Sequence, residues 1–113
     1  MSARREVTLW TAQRVTAVVL AVCVVVHLAT IIYAVRGGLT AAEILGRTRG
    51  SYAWGTFYAV FVLAAAIHGS IGLRAIAAEW LGFRGDFAEW TMTVVALVLT
   101  ITGLRAVVAV VGA

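Results

Sequence analysis

Three long segments without formal charge alternate with short polar links along the chain. They cover residues 15–35, 50–73 and 90–104, and the third continues beyond Arg105 with eight more apolar or small residues. A helix that crosses the hydrocarbon core of a membrane needs roughly 20 predominantly apolar residues. The pattern therefore predicts three helices that span a bilayer.

We predict an all-α integral membrane protein with three transmembrane helices in an up-down-up bundle. The predicted bounds are about residues 11–35 for helix I, 51–80 for helix II and 90–112 for helix III. The whole chain, residues 1–113, then forms a single membrane-anchor domain.

The link between the first two spans contains signals for a short helix at the membrane surface. Gly37 and Gly38 stop helix I, and the spacing of Thr40 and Glu43 matches a capping box. Tyr52 then opens the second span at the depth of an aromatic belt. We therefore expect one or two turns of interfacial helix in this link.

Composition supports a membrane protein and argues against a nucleic-acid partner. Of the 113 residues, 63% are apolar and only 12% are charged, more apolar surface than a soluble domain of this size can bury. All nine basic residues are arginines that flank or interrupt the spans, so they fit topology, lipid head groups or cofactor carboxylates. Five lie on the N-terminal face and four on the other, which slightly favours a cytoplasmic N-terminus. Cys23 is the single cysteine, so an internal disulfide is excluded.

Two histidines lie inside predicted spans, His27 in helix I and His68 in helix II. An imidazole in hydrocarbon is costly unless something binds it. A haem iron would bind it, and Arg74, six residues after His68, could reach a haem propionate. The alternative is an interhelical hydrogen bond. Alanines and glycines around His68 would admit a flat ligand, although such residues also serve close helix packing.

The two histidines differ in predicted depth. His27 lies 13 residues after Arg14, roughly 20 Å from the N-terminal face. His68 lies 6 residues before Arg74 and 11 before Glu79, roughly 9–17 Å from the same face. The histidines therefore suit two stacked haems better than one shared haem, and each iron would take its second axial ligand from another chain.

A possible quinone site lies near the start of helix I. We expect Arg14 to be buried there. With Thr11 one turn before it and Trp10 at the membrane surface, it could hold a quinone carbonyl or a propionate. The alternative is that Arg14 is a simple topology anchor.

Two motifs resemble a known family. Residues 68–74 (HGSIGLR), followed by residues 79–80 (EW), resemble the helix II motif of the membrane-anchor cytochrome b subunits of succinate dehydrogenase and fumarate reductase. Residues 13–16 (QRVT) resemble the helix I signature of these subunits. Two departures are present: Gln13 replaces the usual histidine, and Trp10 stands where a serine is usual.

The resemblance implies a non-catalytic subunit that passes electrons between partner iron–sulfur clusters and membrane quinone. It implies haem b, one or two, with His68 as axial ligand, His27 as the helix I ligand of two-haem members, and Arg14 and Arg74 near haem or quinone. The implied partners are a flavoprotein subunit, an iron–sulfur subunit, membrane lipid, and a second membrane anchor or another copy of this chain. The implied location is the inner (cytoplasmic) membrane of the cell.

Two other functions remain open from the residues. One is a haem-free structural anchor with the same fold. The other is a small transporter or channel subunit in which His27, His68 and Arg105 form a proton or ion path. Against the second, the spans hold no carboxylates that could pair with the histidines. Hydrolysis and phosphoryl transfer have no supporting motif.

Overall fold

The computed structural model describes residues 2–112, which form four helices and, within that range, no strand. The helices are α1 (Ala3–Gly37), α2 (Ala41–Thr48), α3 (Tyr52–Leu81) and α4 (Asp86–Val111). The three long helices are each long and apolar enough to cross a membrane. The predicted all-α membrane bundle with a short helix in its first link is confirmed.

Two of the long helices begin earlier than their apolar runs do. α1 starts at Ala3, not near Thr11, because the Ser2 hydroxyl accepts the Arg5 N–H at 3.2 Å and caps the helix. α4 starts at Asp86, not near Trp90, with Asp86 and Glu89 in its first turn. These carboxylates favour a helix start because their negative charge interacts favourably with the positive end of the helix dipole.

α2 begins with the predicted capping box. The Thr40 hydroxyl accepts the Glu43 N–H at 3.2 Å, and the Glu43 carboxylate accepts the Thr40 N–H at 2.9 Å. This backbone hydrogen bond lowers the pKa of Glu43, and the Thr40 hydroxyl adds to the effect. Because the folded pKa lies below the unfolded one, the stabilisation is lost as pH falls through the folded pKa.

α2 and the turn after it are tied to the end of α4. The Thr48 hydroxyl donates to the Val110 carbonyl at 2.6 Å, and the Gly50 N–H donates to the Val111 carbonyl at 2.8 Å. Carbonyls in the last turn of a helix lack partners within that helix. The link between the first two spans therefore supplies hydrogen-bond donors to carbonyls at the C-terminus of the third span.

α3 packs against both α1 and α4 and runs antiparallel to each. Residues early in α3 meet residues late in α4: Gly55 lies against Val111, and Val62 lies against Gly103. A charge network joins the other end of all three spans. In it, Arg74 pairs with Glu89 at 2.6 Å and Glu6 at 3.4 Å, and Arg5 pairs with Glu89 at 2.8 Å.

The close contact between α3 and α4 predicts that a side chain at position 103 lowers the stability of the folded chain. A Cβ there would overlap Val62, whose branched side chain has little freedom in a helix. We expect Gly103→Ala to destabilise the purified chain by about 1–3 kcal/mol, the usual cost of overpacking. Thermal unfolding in detergent, followed by circular dichroism, measures it.

Gly46→Ala is the matched control because a Cβ at Gly46 meets nothing within 4 Å. In a helix interior the added methyl stabilises by roughly 0.5–1 kcal/mol. The control should therefore unfold at or above the wild-type temperature. A Gly103→Ala chain as stable as wild type would contradict the close packing of α3 on α4.

Candidate functional site

His68 lies in the contact between α1 and α3. Its Nδ1 is 3.2 Å from the Thr16 hydroxyl, which is within hydrogen-bond distance. Thr16 is only 8% exposed, and Ser70, two residues after His68, is equally buried. Thr16 of α1 and His68 of α3 therefore form a polar pair within the membrane-spanning part of the bundle.

The second ring nitrogen of His68, Nε2, has no hydrogen-bond partner within residues 2–112. In the same range, the buried side-chain atoms that lack a hydrogen bond are Gln13 Oε1 and His27 Nδ1. His68 Nε2 differs from these two atoms because it is not fully buried, so it is accessible. An accessible imidazole nitrogen inside a span is available to a ligand from outside the chain.

Small residues surround His68, as the sequence predicted. A Cβ at Gly69 would meet nothing within 4 Å, so this side of α3 is open. A Cβ at Gly72 would lie 3.4 Å from the Gln13 amide nitrogen, so this side is in contact with α1. The open side and the accessible nitrogen fit a flat, iron-bearing ligand such as haem.

Gln13 is a polar residue of this region to which sequence reasoning gave no role. Its amide lies against Gly72, one turn of α3 beyond His68, and its Oε1 is buried without a partner. The available signal was the departure of Gln13 from the histidine that the resembled family usually has there. Its proximity to His68 required the pairing of two helices, which a sequence alone does not give.

His27 lies at a different place between α1 and α3. Its ring makes edge contacts with Tyr58 at 6.0 Å and with Phe61 at 5.6 Å between centroids, and its Nδ1 is buried without a partner. Two apolar grooves of about 590 and 450 Å³ share His27 in their lining. An unsatisfied imidazole beside open volume is again a candidate ligand site.

The contacts of the two histidines give their separation along the bundle. His68 is level with Thr16, and His27 is level with Tyr58 and Phe61. Seven to eleven residues separate these levels along either helix, which is about 10–17 Å at the rise of an α-helix. The predicted difference in depth agrees with the structure.

Arg47, near His27, is a further residue to which the sequence gave no role in a site. It lines the larger groove together with His27, and its guanidinium lies 5.7 Å from the centroid of the Tyr33 ring. It also donates to the Gly38 carbonyl at 2.8 Å. The groove therefore has a cation at the end formed by α2.

Arg14 and His68 are not brought together within the chain. Arg14 precedes Thr16 by two residues, about 200° around the helix, so it lies on the face of α1 away from α3. Its guanidinium lies 5.3 Å from the centroid of the Trp10 ring, and both side chains are exposed. The prediction that Arg14 is buried is therefore wrong for the chain, in which its side chain is exposed.

Thr11, the third predicted quinone residue, is also exposed. Its hydroxyl donates to the Val7 carbonyl at 2.8 Å, which uses its single proton within α1. It keeps lone pairs that can accept a hydrogen bond, whereas Arg14 can only donate. The outer face of α1 thus offers both a donor and an acceptor beside an aromatic ring.

Arg74 is engaged by carboxylates. Its pairs with Glu89 and Glu6 balance its charge and join the N-terminal ends of α1 and α4 to the C-terminal half of α3. This arrangement makes Arg74 less available to a propionate than the sequence predicted. Its observed contacts favour a role in holding the three spans in register.

The chain offers no site for a bare metal ion within residues 2–112. No group of three or more histidine, cysteine, aspartate or glutamate side chains lies close enough to hold one. Each histidine instead presents one imidazole at its own depth. This donor set fits an iron that arrives with four ligands of its own, as in haem.

Comparisons with known proteins agree with this architecture. The family model described as "Succinate dehydrogenase/Fumarate reductase transmembrane subunit" matches residues 1–110. No curated protein and no solved structure matches the chain significantly. Because the family match spans nearly the whole chain, the chain belongs to the family of succinate dehydrogenase/fumarate reductase transmembrane subunits.

Proposed function

We propose that this chain binds haem b through His68 and passes electrons between partner iron–sulfur clusters and membrane quinone. The observation that carries the proposal is the accessible Nε2 of His68 inside a spanning helix of a family member. A polar ring at that depth without a ligand would be costly. The chain is a non-catalytic subunit of the oxidoreductase, and substrate chemistry belongs to its partners.

The residues around His68 hold and orient the proposed haem. His68 would bind the haem iron through Nε2, and the open space beside Gly69 would leave room for the macrocycle. When bound, haem b supplies a one-electron carrier whose potential depends on its ligands and surroundings. A second membrane anchor or another copy of this chain would supply the other protein ligand of the iron, since the two histidines of one chain differ in depth.

In this proposal His27 would hold a second haem. Its separation from His68 along the bundle favours two haems over one that both histidines share. The adjoining grooves offer apolar walls, and Arg47 at one end could pair with a propionate carboxylate. This arrangement would extend the path for electrons from one side of the membrane towards the other.

The proposed quinone site is formed by Trp10, Thr11 and Arg14. Arg14 donates to a quinone carbonyl, the Thr11 hydroxyl accepts from a quinol hydroxyl, and Trp10 supplies an apolar surface. Their exposure on α1 makes them accessible from the lipid or from a neighbouring subunit.

The N-terminal face is the proposed docking side for the flavoprotein and iron–sulfur subunits. It carries the charge network of Arg5, Glu6, Arg74 and Glu89 and lies closer to His68 than to His27. A docked iron–sulfur subunit would then be nearer to the His68 site. With five of the nine arginines on this face, we place it in the cytoplasm and the chain in the inner membrane.

Replacing His68 tests the haem assignment. We expect the assembled complex with His68→Ala to lose one b-type haem, because no other imidazole of this chain lies at that depth. Haem content and reduced-minus-oxidised spectra measure the loss. Ile67→Ala is the control, since it truncates an adjacent, 42% exposed side chain without removing a ligand.

Unchanged haem content in His68→Ala would contradict the assignment. A wild-type complex without b-type bands would instead favour the haem-free structural anchor. Substrate-dependent ion flux through vesicles containing this chain alone would favour a transporter or channel.

Replacing His27 tests the second haem separately. A potentiometric titration of the wild-type complex should show two b-type steps, and His27→Ala should remove one of them. Val26→Ala, adjacent and exposed, should keep both. A single step in the wild-type complex would refute two haems, while leaving the His68 site intact.

A further inference from the structure

Thr16 has more hydrogen-bond neighbours than it has protons. Its hydroxyl oxygen lies 2.7 Å from the Ala12 carbonyl oxygen, 3.2 Å from the Gln13 carbonyl oxygen and 3.2 Å from His68 Nδ1. A hydroxyl has one proton to donate and two lone pairs that accept. The three neighbours therefore cannot all receive a hydrogen bond from Thr16.

The distances indicate where the hydroxyl proton goes. The 2.7 Å separation from Ala12 is the usual length of an O–H···O hydrogen bond, and both 3.2 Å separations are longer. A carbonyl oxygen can only accept, so the proton points to Ala12. The Thr16 lone pairs then face His68, and the interaction is favourable only if Nδ1 carries a proton.

We propose that Thr16 is a positioning residue that holds His68 in its Nδ1–H form, so that the Nε2 lone pair is directed to an iron. Neutral imidazole has one protonated and one bare nitrogen, and the hydrogen bond at one nitrogen fixes the state of the other. Thr16 is 8% exposed, so water does not compete freely for Nδ1. The threonine thus fixes both the tautomer and the orientation of the ring.

The hydrogen bond also makes His68 a stronger ligand. An acceptor at the far nitrogen of a metal-bound imidazole raises the basicity of the ligating nitrogen, and loss of such a partner typically weakens metal binding 10–100-fold. A more basic ligand stabilises ferric over ferrous iron. Removing the Thr16 hydroxyl should therefore raise the midpoint potential of the His68 haem and weaken its retention.

This inference rests on the proposed haem at His68. The experiment is designed so that a failure of the Thr16 role can be told apart from a failure of the haem assignment. The assembled complex is purified with Thr16→Val, which keeps the branched shape and removes the hydroxyl, and with Thr16→Ser, which keeps the hydroxyl. We expect Thr16→Val to bind haem with a raised potential. A tenfold change in the ratio of ferric to ferrous binding is about 59 mV for one electron. Thr16→Ser should restore the wild-type potential.

Thr100→Val is the matched control. The Thr100 hydroxyl donates to the Ala96 carbonyl at 2.8 Å, just as Thr16 does to Ala12, but within residues 2–112 it forms no hydrogen bond with a histidine. In the Thr100→Val complex, the midpoint potential of the His68 haem and the haem content should equal those of the wild type. A wild-type potential in Thr16→Val, or failure of Thr16→Ser to restore it, would overturn the role of Thr16 while leaving the haem at His68 standing. Haem retained at full content in His68→Ala would overturn the haem itself.

A second measurement needs neither haem nor assembly. In the full haem-free chain with His27→Gln, His68 is the sole histidine, and ¹⁵N magnetic resonance reports which nitrogen is protonated. We expect the proton on Nδ1 in this chain and a shift towards Nε2 on adding Thr16→Val. A proton on Nε2 in the chain with native Thr16 would contradict the proposal.

Discussion

A polar group inside a bilayer needs a partner, and this constraint organises the whole bundle. Several hydroxyls of the spanning helices meet it by donating to carbonyls of their own helix, as Thr100 and Thr102 do. The end of α4 meets it through Thr48 and Gly50 of the first link. The histidine rings do not meet it within their own helix. The His68 ring contacts Thr16 of another helix through Nδ1, and the buried Nδ1 of the His27 ring has no hydrogen-bond partner within residues 2–112.

The ring nitrogens without a hydrogen bond connect the fold with the proposed haem binding and electron transfer. The contact of Thr16 with His68 fixes which part of α1 faces which part of α3, and this register places His27 at its own depth beside Tyr58. At the surface, Arg74 and its carboxylates hold the same register. The fold thus presents two imidazoles, those of His68 and His27, at two different depths of the bundle.

Much of the fold could be predicted from the sequence because apolar runs and capping residues act locally. The three spans and the Thr40–Glu43 capping box are such features. The early start of α1 could not be predicted from hydropathy, since the charged residues Arg4, Arg5 and Glu6 interrupt the apolar pattern and yet are helical. The face taken by Arg14 and the burial of Gln13 depend on how α1 packs against α3. These side-chain positions follow from pairing between distant segments, which one sequence does not reveal.

The most direct test of the account is a cryo-electron-microscopy map of the assembled complex at a resolution that shows side chains. We expect porphyrin density against His68 Nε2, with Nδ1 of the same ring facing the Thr16 hydroxyl and a ligand from another chain on the opposite side of the iron. A map in which lipid or a protein side chain covers His68 Nε2 would contradict it.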